Sequence, residues 1–168
     1  MEGRRWNLGE SSDVGTMRSP LKVLCVDAKV ISETMAKILT LNGFQASFAV
    51  TAGAAVELAR VDTPDVAIID WMMAAAMSDT YANGVQAAVR LRAVAPGCRF
   101  IFLASVSTML LSIEELGRTL LGGEYVALTK PVRPQIILDL LHEWRGGRAM
   151  QIRDTGRAAV CPVPPANL

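Results

Sequence analysis

The sequence carries no excess of either charge. Its 168 residues include 17 lysine and arginine and 16 aspartate and glutamate side chains, so the net charge is +1. This balance provides no long-range attraction to the phosphates of a nucleic acid or to an anionic membrane surface. We therefore expect neither a nucleic acid nor a membrane among the partners of this protein.

Cysteine pairs, aromatic residues and long apolar runs are also scarce. Aromatic residues make up 5% of the chain, and the three cysteines show no CxxC spacing, which disfavours a disulfide framework or a zinc site. The apolar stretch 66–77 is interrupted by Asp70, and no run approaches the ~20 residues that a bilayer requires. The N-terminal arginines are not followed by the apolar stretch of a secretory signal. These absences favour a location in the reducing cytoplasm.

The middle of the chain alternates between two apolar patterns. Short apolar runs rich in β-branched residues predict buried strands at 21–26, 44–50, 66–69, 99–104 and 124–128. Apolar residues at helical spacing predict helices at 30–41, 52–61, 84–95, 108–121 and 134–144. The alternation predicts an α/β fold, with a doubly wound sheet of five parallel strands that helices cover on both faces.

The two ends of the chain lack such patterns. Residues 1–20 are rich in Gly, Ser, Arg and Asp, and residues 146–168 begin with two glycines and end rich in proline. We interpret residues 1–20 as a mobile N-terminal tail, 21–145 as a single folded domain and 146–168 as a C-terminal tail.

Polar residues with complementary chemistry follow the predicted strands. Asp27 follows the first strand, Asp70 the third, Ser105 the fourth and Lys130 the fifth. The carboxyl ends of parallel strands meet at one edge of the sheet, where such folds bind ligands. Two carboxylates there favour a divalent cation, and a lysine favours a phosphoryl group. One carboxylate could then act as a nucleophile and form an aspartyl phosphate.

Three segments in this order resemble the receiver domain of two-component response regulators. They are VLCVD at 23–27, PDVAIIDWMM at 64–73 and YVALTKP at 125–131, and LNGF at 41–44 is similar as well. Each motif alone is weak evidence for the family. The three motifs in this order, with a predicted strand before each acidic or basic residue, are specific evidence for it. The resemblance covers residues 21–145 and implies the flavodoxin-like (βα)5 receiver fold.

The resemblance implies a role for the residues at the strand ends. Asp70 corresponds to the phosphoacceptor of the family. Asp27 corresponds to one of the acidic residues that hold Mg²⁺, together with Asp70 and the backbone carbonyl of Met72. Lys130 corresponds to the lysine that contacts the phosphoryl oxygens, and its bond to Pro131 is a candidate for a cis peptide.

The sequence departs from the pattern of the family at several positions. Ala28 follows Asp27 where the family has a second acidic residue, which predicts weak Mg²⁺ binding. Ala104 and Ala127 stand at the positions of the hydroxyl and aromatic switch residues, so Ser105 is the candidate for a hydroxyl that contacts the phosphoryl group. The segment 74–83 is longer than in the family and could gate access to the acceptor.

The resemblance implies the function of a single-domain receiver, which is not an enzyme beyond phosphotransfer to Asp70. Such a domain takes a phosphoryl group from a histidine kinase or a phosphotransfer protein, with Mg²⁺ as the cofactor. A downstream protein then binds at the face of the fourth predicted helix, the fifth strand and the last helix. The sequence is compatible with a monomer or a homodimer.

Other functions are also compatible with parts of the sequence. Ala28, Ala104 and Ala127 fit a degenerate receiver that binds a partner protein without phosphorylation. A phosphatase of the haloacid-dehalogenase type is disfavoured because Met72 stands where such enzymes carry a second acid. A flavodoxin-like cofactor binder is disfavoured because DAKVIS, at 27–32, contains no glycine-rich or Ser/Thr-rich phosphate loop.

Overall fold

The computed structural model of the chain describes residues 19–72, 84–105, 125–146 and 159–160. The strands are β1 (Lys22–Val26), β2 (Gln45–Ala49), β3 (Val66–Asp70), β4 (Arg99–Ala104), β5 (Tyr125–Thr129) and β6 (Ala159–Val160). The helices are α1 (Lys29–Leu41), α2 (Ala52–Val61), α3 (Gly84–Val94) and α4 (Pro134–Arg145). The predicted helix at 108–121 and the long segment 74–83 lie outside the described residues. The label α4 therefore refers to the last predicted helix, at 134–144.

All described strands belong to one sheet, in the order β2-β1-β3-β4-β5-β6. The first five strands are parallel to one another. Because β2 lies on one side of β1 and β3 on the other, the direction of winding reverses at β1. This arrangement confirms the predicted α/β class and the doubly wound, five-stranded parallel sheet.

The sheet also contains a strand that the sequence analysis missed. β6 pairs antiparallel with β5, with Val160 opposite Val126 and Ala159 opposite Ala127. Its two residues fall in the segment 146–168, which the sequence analysis assigns to a tail. Two residues are too few to show an alternating pattern, so periodicity gives no signal for such a strand.

Two apolar clusters cover the faces of the sheet, because successive strand residues point to opposite sides. One cluster lies on the side of α2 and α3 and includes Ile69, Phe102 and Tyr125. The other lies on the side of α1 and α4 and includes Leu39, Ile68 and Leu141. Every residue of β3 is buried, which explains why its sequence is a continuous apolar run that ends in Asp70.

Local signals set the ends of several helices. Thr51 caps α2, since its side-chain oxygen accepts a hydrogen bond from the amide of Ala54 at 3.1 Å. Gly43 ends the turn after α1 with a φ of +82°, a conformation that glycine adopts without a Cβ clash. Within the described ranges, no helix is long and apolar enough to cross a membrane.

Candidate functional site

Three charged side chains meet at the carboxyl end of the sheet. Asp27 directly follows β1, Asp70 is the last residue of β3, and Lys130 directly follows β5. The Nζ atom of Lys130 lies 3.0 Å from Oδ1 of Asp70 and 3.3 Å from Oδ2 of Asp27. The parallel arrangement of the strands therefore brings together a lysine and a carboxylate that are 103 positions apart in the sequence.

Backbone amides hold both carboxylates in place. The amide of Ala28 donates to Oδ1 of Asp27 at 2.6 Å, and the amide of Met72 donates to Oδ1 of Asp70 at 3.2 Å. Oδ1 of Asp70 thus faces two donors, Met72 and Lys130. Among the described residues, none donates a hydrogen bond to Oδ2 of Asp70.

The site is largely buried and keeps an excess of negative charge. The side chains of Asp27 and Asp70 are 8% and 12% exposed, and that of Lys130 is 26% exposed. Burial raises the pKa of the Asp27 carboxyl, the charge of Asp70 adds to this rise, and the Ala28 amide and Lys130 oppose it. One ammonium group cannot neutralise two carboxylates, so the site favours a further cation.

A glycine lies against the backbone of Asp70. A Cβ atom at Gly84 would lie 2.5 Å from the carbonyl oxygen of Asp70 and 3.1 Å from Cγ2 of Ile69. The amide of Gly84 also donates to the carbonyl of Trp71 at 3.0 Å. The sequence analysis treated Gly84 as the start of a helix, and the contact with Asp70 is a role that it missed.

Aromatic rings connect Trp71, the residue after Asp70, to β5. Trp71 is 7% exposed and packs edge-to-face on Phe102, with 6.0 Å between the ring centroids. Phe102 in turn packs edge-to-face on Tyr125 at 6.2 Å. Tyr125 is buried and lies on the same face of β5 as Ala127, at the α2 and α3 side of the sheet.

Ala104, the hydroxyl switch position of the sequence analysis, is the last residue of β4, and the candidate hydroxyl residue Ser105 directly follows it. Ala104 is fully buried and lies opposite Thr129 in the register of β4 and β5. The amide of Lys130 donates to the carbonyl of Ala104 at 2.7 Å, which ties the lysine to the end of β4. Ser105 is exposed. In the described part of the chain, no hydrogen bond joins Ser105 to Lys130 or to either carboxylate.

The remaining predicted positions lie close to the three charged residues. The peptide bond between Lys130 and Pro131 is cis. The backbone of Met72 lies beside Asp70 through its amide, while its side chain is 56% exposed. Glu33, the first acidic residue after Ala28 in the sequence, pairs with Lys37 on the surface of α1.

The donor atoms at the site suit a magnesium ion. Carboxylate and backbone carbonyl oxygens are hard ligands, and Mg²⁺ is commonly held by one or two carboxylates together with water. Asp27, Asp70 and the carbonyl of Met72 could supply such a set, whereas Ala28 adds no ligand. No group of three or more His, Cys, Asp and Glu side chains that could hold a metal occurs within the described ranges. The residues present therefore fit a magnesium ion that is held by two carboxylates and one backbone carbonyl, with water as the remaining ligands.

The chain is similar in structure to response regulator receiver domains. It aligns with the CheY-like receiver domain protein of Methanospirillum hungatei over 77% of this chain and 96% of that one, with a TM-score of 0.63 and 20% identity. For the chemotaxis protein CheY4 of Vibrio cholerae the shares are 74% and 98%, with a TM-score of 0.62 and 21% identity.

A third similar structure contains ligands. It is a response regulator protein from Burkholderia pseudomallei with a phosphorylated aspartic acid, a calcium ion and citrate, aligned over 76% of this chain and 72% of that one, with a TM-score of 0.57 and 18% identity. No known protein family and no curated protein matches the sequence. The chain thus has the fold of receiver domains, as its motifs predict, and the interpretation of its site rests on the geometry around Asp70.

Proposed function

We propose that this protein is a phosphoryl-accepting receiver with Asp70 as the acceptor. The observation that carries the proposal is the contact of Lys130 with Oδ1 of Asp70 at 3.0 Å, while Oδ2 receives no hydrogen bond from a described residue. One oxygen is thus held by the protein and the other is presented as a nucleophile.

The proposed reaction is a transfer between two side chains. Oδ2 of Asp70 attacks the phosphorus of a phosphohistidine on a histidine kinase or phosphotransfer protein. The P–O bond forms as the P–N bond breaks, and the leaving imidazole takes up a proton. Lys130 stabilises the negative charge on the phosphoryl oxygens during transfer.

Two further groups complete the proposed site. Asp27, Asp70 and the carbonyl of Met72 would hold Mg²⁺, which when bound neutralises charge on the phosphoryl oxygens. Ser105 at the end of β4 would contact the phosphoryl group through its hydroxyl. We propose that residues 21–145 form this receiver and that the signal passes to a cytoplasmic partner at the face of residues 108–121, β5 and α4.

A second candidate function is a degenerate receiver that binds its partner without phosphorylation. The observations that favour it are Ala28 in place of a second acid and the buried Ala104, which leaves the last residue of β4 without a hydroxyl. The two candidates differ in one respect that can be measured directly, namely whether Asp70 takes up a phosphoryl group.

Intact-mass spectrometry after incubation with acetyl phosphate or phosphoramidate distinguishes them. We expect the wild-type chain to gain one phosphoryl group in the presence of Mg²⁺ and to lose this gain when EDTA removes the metal. Asp70→Asn should gain none, because the amide lacks the nucleophilic oxygen. Asp139→Asn is the matched control, since Asp139 is an exposed residue of α4 and its substitution should leave the adduct intact.

Absence of an adduct on the wild-type chain, together with no binding of beryllium fluoride, would contradict the proposal that Asp70 is a phosphoacceptor. That result would favour the degenerate module, for which Asp70→Asn should leave binding to the partner unchanged. An adduct that persists in Asp70→Asn would show that another residue is modified.

A further inference from the structure

We infer that two copies of this chain form a two-fold dimer in which their β2 strands pair antiparallel and join two sheets into one. The two edges of the sheet differ: β6 covers β5, whereas β2 is the terminal strand at the other edge among the described strands. The sequence of β2, QASFA, contains no charged residue and no proline. Edge strands usually avoid pairing with another chain by carrying charged residues or proline, and β2 has neither. This edge is therefore unprotected against pairing.

The backbone groups of Ala46 and Phe48 point to the open edge. The amide of Gln45 donates to the carbonyl of Leu21 at 3.0 Å, and the carbonyl of Ala49 accepts a hydrogen bond from the amide of Asp27 at 3.3 Å. Both groups thus point inward, toward β1. Successive residues of a strand turn their N–H and C=O groups to opposite sides. The odd-numbered residues of β2 face β1, so the even-numbered residues face away from it. Ala46 and Phe48 therefore each present one donor and one acceptor to a neighbouring strand.

A two-fold axis at Ser47 satisfies these groups. It places Ala46 of each copy opposite Phe48 of the other, and each such pair exchanges two N–H···O=C bonds, as in any antiparallel ladder. The side chain of Phe48 is 38% exposed in a single copy. In the dimer it lies against Ala46 of the second copy, which removes apolar surface from water.

The charges on α1 face the same edge. The buried residues Ser32, Ala36 and Leu39 mark the side of α1 that faces the sheet. With 100° per residue and the right-handed crossover expected of a β-α-β unit, Glu33 and Lys37 fall on the flank next to the open edge of β2. Their side chains are 37% and 72% exposed, respectively, so both are accessible to a second copy.

The same axis makes these charges complementary. Residue 35 is the midpoint of α1, and Ser47 is the midpoint of β2, to which α1 runs antiparallel. An axis at this level sets Glu33 of each copy opposite Lys37 of the other. Since α1 packs on both β1 and β2 and strands are spaced about 4.8 Å apart, the two α1 axes would lie about 8–10 Å apart, the usual distance for packed helices.

The dimer is independent of the proposed phosphoryl transfer. The axis is perpendicular to the joined sheet, so the two sites around Asp70 open at opposite ends. Neither β2 nor the flank of α1 with Glu33 and Lys37 contributes a residue to that site. A chain that does not dimerise would therefore not contradict the proposal that Asp70 accepts a phosphoryl group. A chain that is not phosphorylated would likewise not contradict the dimer.

Sedimentation or light scattering of the full chain over a range of concentrations tests the association. We expect a species of twice 18.0 kDa. Phe48→Lys, which puts a charge at the paired edge, should weaken the dimer at least tenfold. Val61→Lys is the matched control, because Val61 is 89% exposed on α2 and outside the interface, and should leave the dimer unchanged. Glu33→Lys should also weaken the dimer, and adding Lys37→Glu should restore it.

Cysteine cross-linking tests the register of the two strands, in chains that also carry Cys161→Ser. Ser47→Cys places two thiols opposite each other at the axis, so mild oxidation should give a disulfide-linked dimer. Gln45→Cys is the matched control, because its two copies would lie about 14 Å apart along the strands at 3.4 Å per residue, and should not cross-link.

Three results would overturn the inference. They are a chain that stays monomeric at all concentrations, a dimer that Phe48→Lys does not weaken, and equal cross-linking of Ser47→Cys and Gln45→Cys. A monomer whose Ala46 and Phe48 amides resist hydrogen exchange would mean that another segment of the same chain, or another molecule, covers the edge.

Discussion

The described cysteines are chemically protected by their positions in the fold. Cys25 of β1 and Cys98, which precedes β4, are free thiols, 2% and 1% exposed. Burial raises the pKa of each to about 12, and the charge of Asp27 adds to the rise for Cys25. The thiolate is the reactive form of cysteine, so both residues are expected to be inert in the folded protein.

Alkylation with iodoacetamide at pH 8 checks this expectation. With a pKa of about 12, roughly one thiol in ten thousand is ionised at this pH, so neither Cys25 nor Cys98 should be labelled in the native protein. Both should be labelled in urea, which is the internal control. Peptide mass spectrometry locates the label, and labelling of native Cys25 at the rate seen in urea would contradict its burial.

At the level of individual residues, side-chain chemistry was predictable and the hydrogen bonds of backbone amides were not. Asp27, Asp70 and Lys130 could be proposed because each directly follows an apolar run, and strand ends of a parallel sheet converge. The amides of Ala28 and Met72 contact the same carboxylates. Every residue except proline has an amide, so no residue type marks such donors in a sequence.

At the level of elements, the junction between β3 and α3 depends on Gly84. The amide of Gly84 bonds to Trp71 at 3.0 Å, and its missing side chain allows α3 to start against the carbonyl of Asp70. Protein interiors leave no room for an added methyl group at a contact of 2.5 Å. The start of α3 and the position of Asp70 are therefore linked.

We predict that Gly84→Ala destabilises the fold by about 1–3 kcal/mol, because the added Cβ forces the backbone around Asp70 to shift. The control is Gly53→Ala in α2, where no atom lies within 4 Å of the added Cβ. That change should stabilise by about 0.5–1 kcal/mol, since alanine has less freedom than glycine in the unfolded chain. Urea unfolding measures both, and equal effects of the two changes would argue against the close contact.

For the whole molecule, the described members of the two apolar clusters on the faces of the sheet all lie before residue 147. Their members, apart from those on the strands, lie on α1, α2, α3, α4 and the adjoining turns. In the part of the chain that the structure describes, β6 contributes a two-residue backbone pairing at the edge of β5. The fold should therefore persist without the C-terminal segment.

A chain that ends after Gly146 is predicted to unfold cooperatively with the secondary structure of the five-stranded domain. Loss of the β6 pairing should cost about 1–2 kcal/mol, the net value of one or two backbone hydrogen bonds. A chain that lacks only residues 161–168 keeps β6 and is the control. Circular dichroism and urea unfolding make the comparison, and an unfolded chain ending at Gly146 would show that the domain extends beyond residue 145.

The sequence by itself determined the α/β class, the order of β1–β5 and α1–α4 along the chain and the three charged residues at the strand ends. It could do so because burial on one or both faces imposes a period on the sequence, and parallel strands share one carboxyl edge. The tertiary structure alone decided that Lys130 contacts both carboxylates, that Gly84 abuts Asp70, that β6 covers one edge and that β2 is left at the other. These features depend on contacts between residues far apart in the chain, on distances and on backbone atoms, and none of these leaves a periodic trace in the sequence.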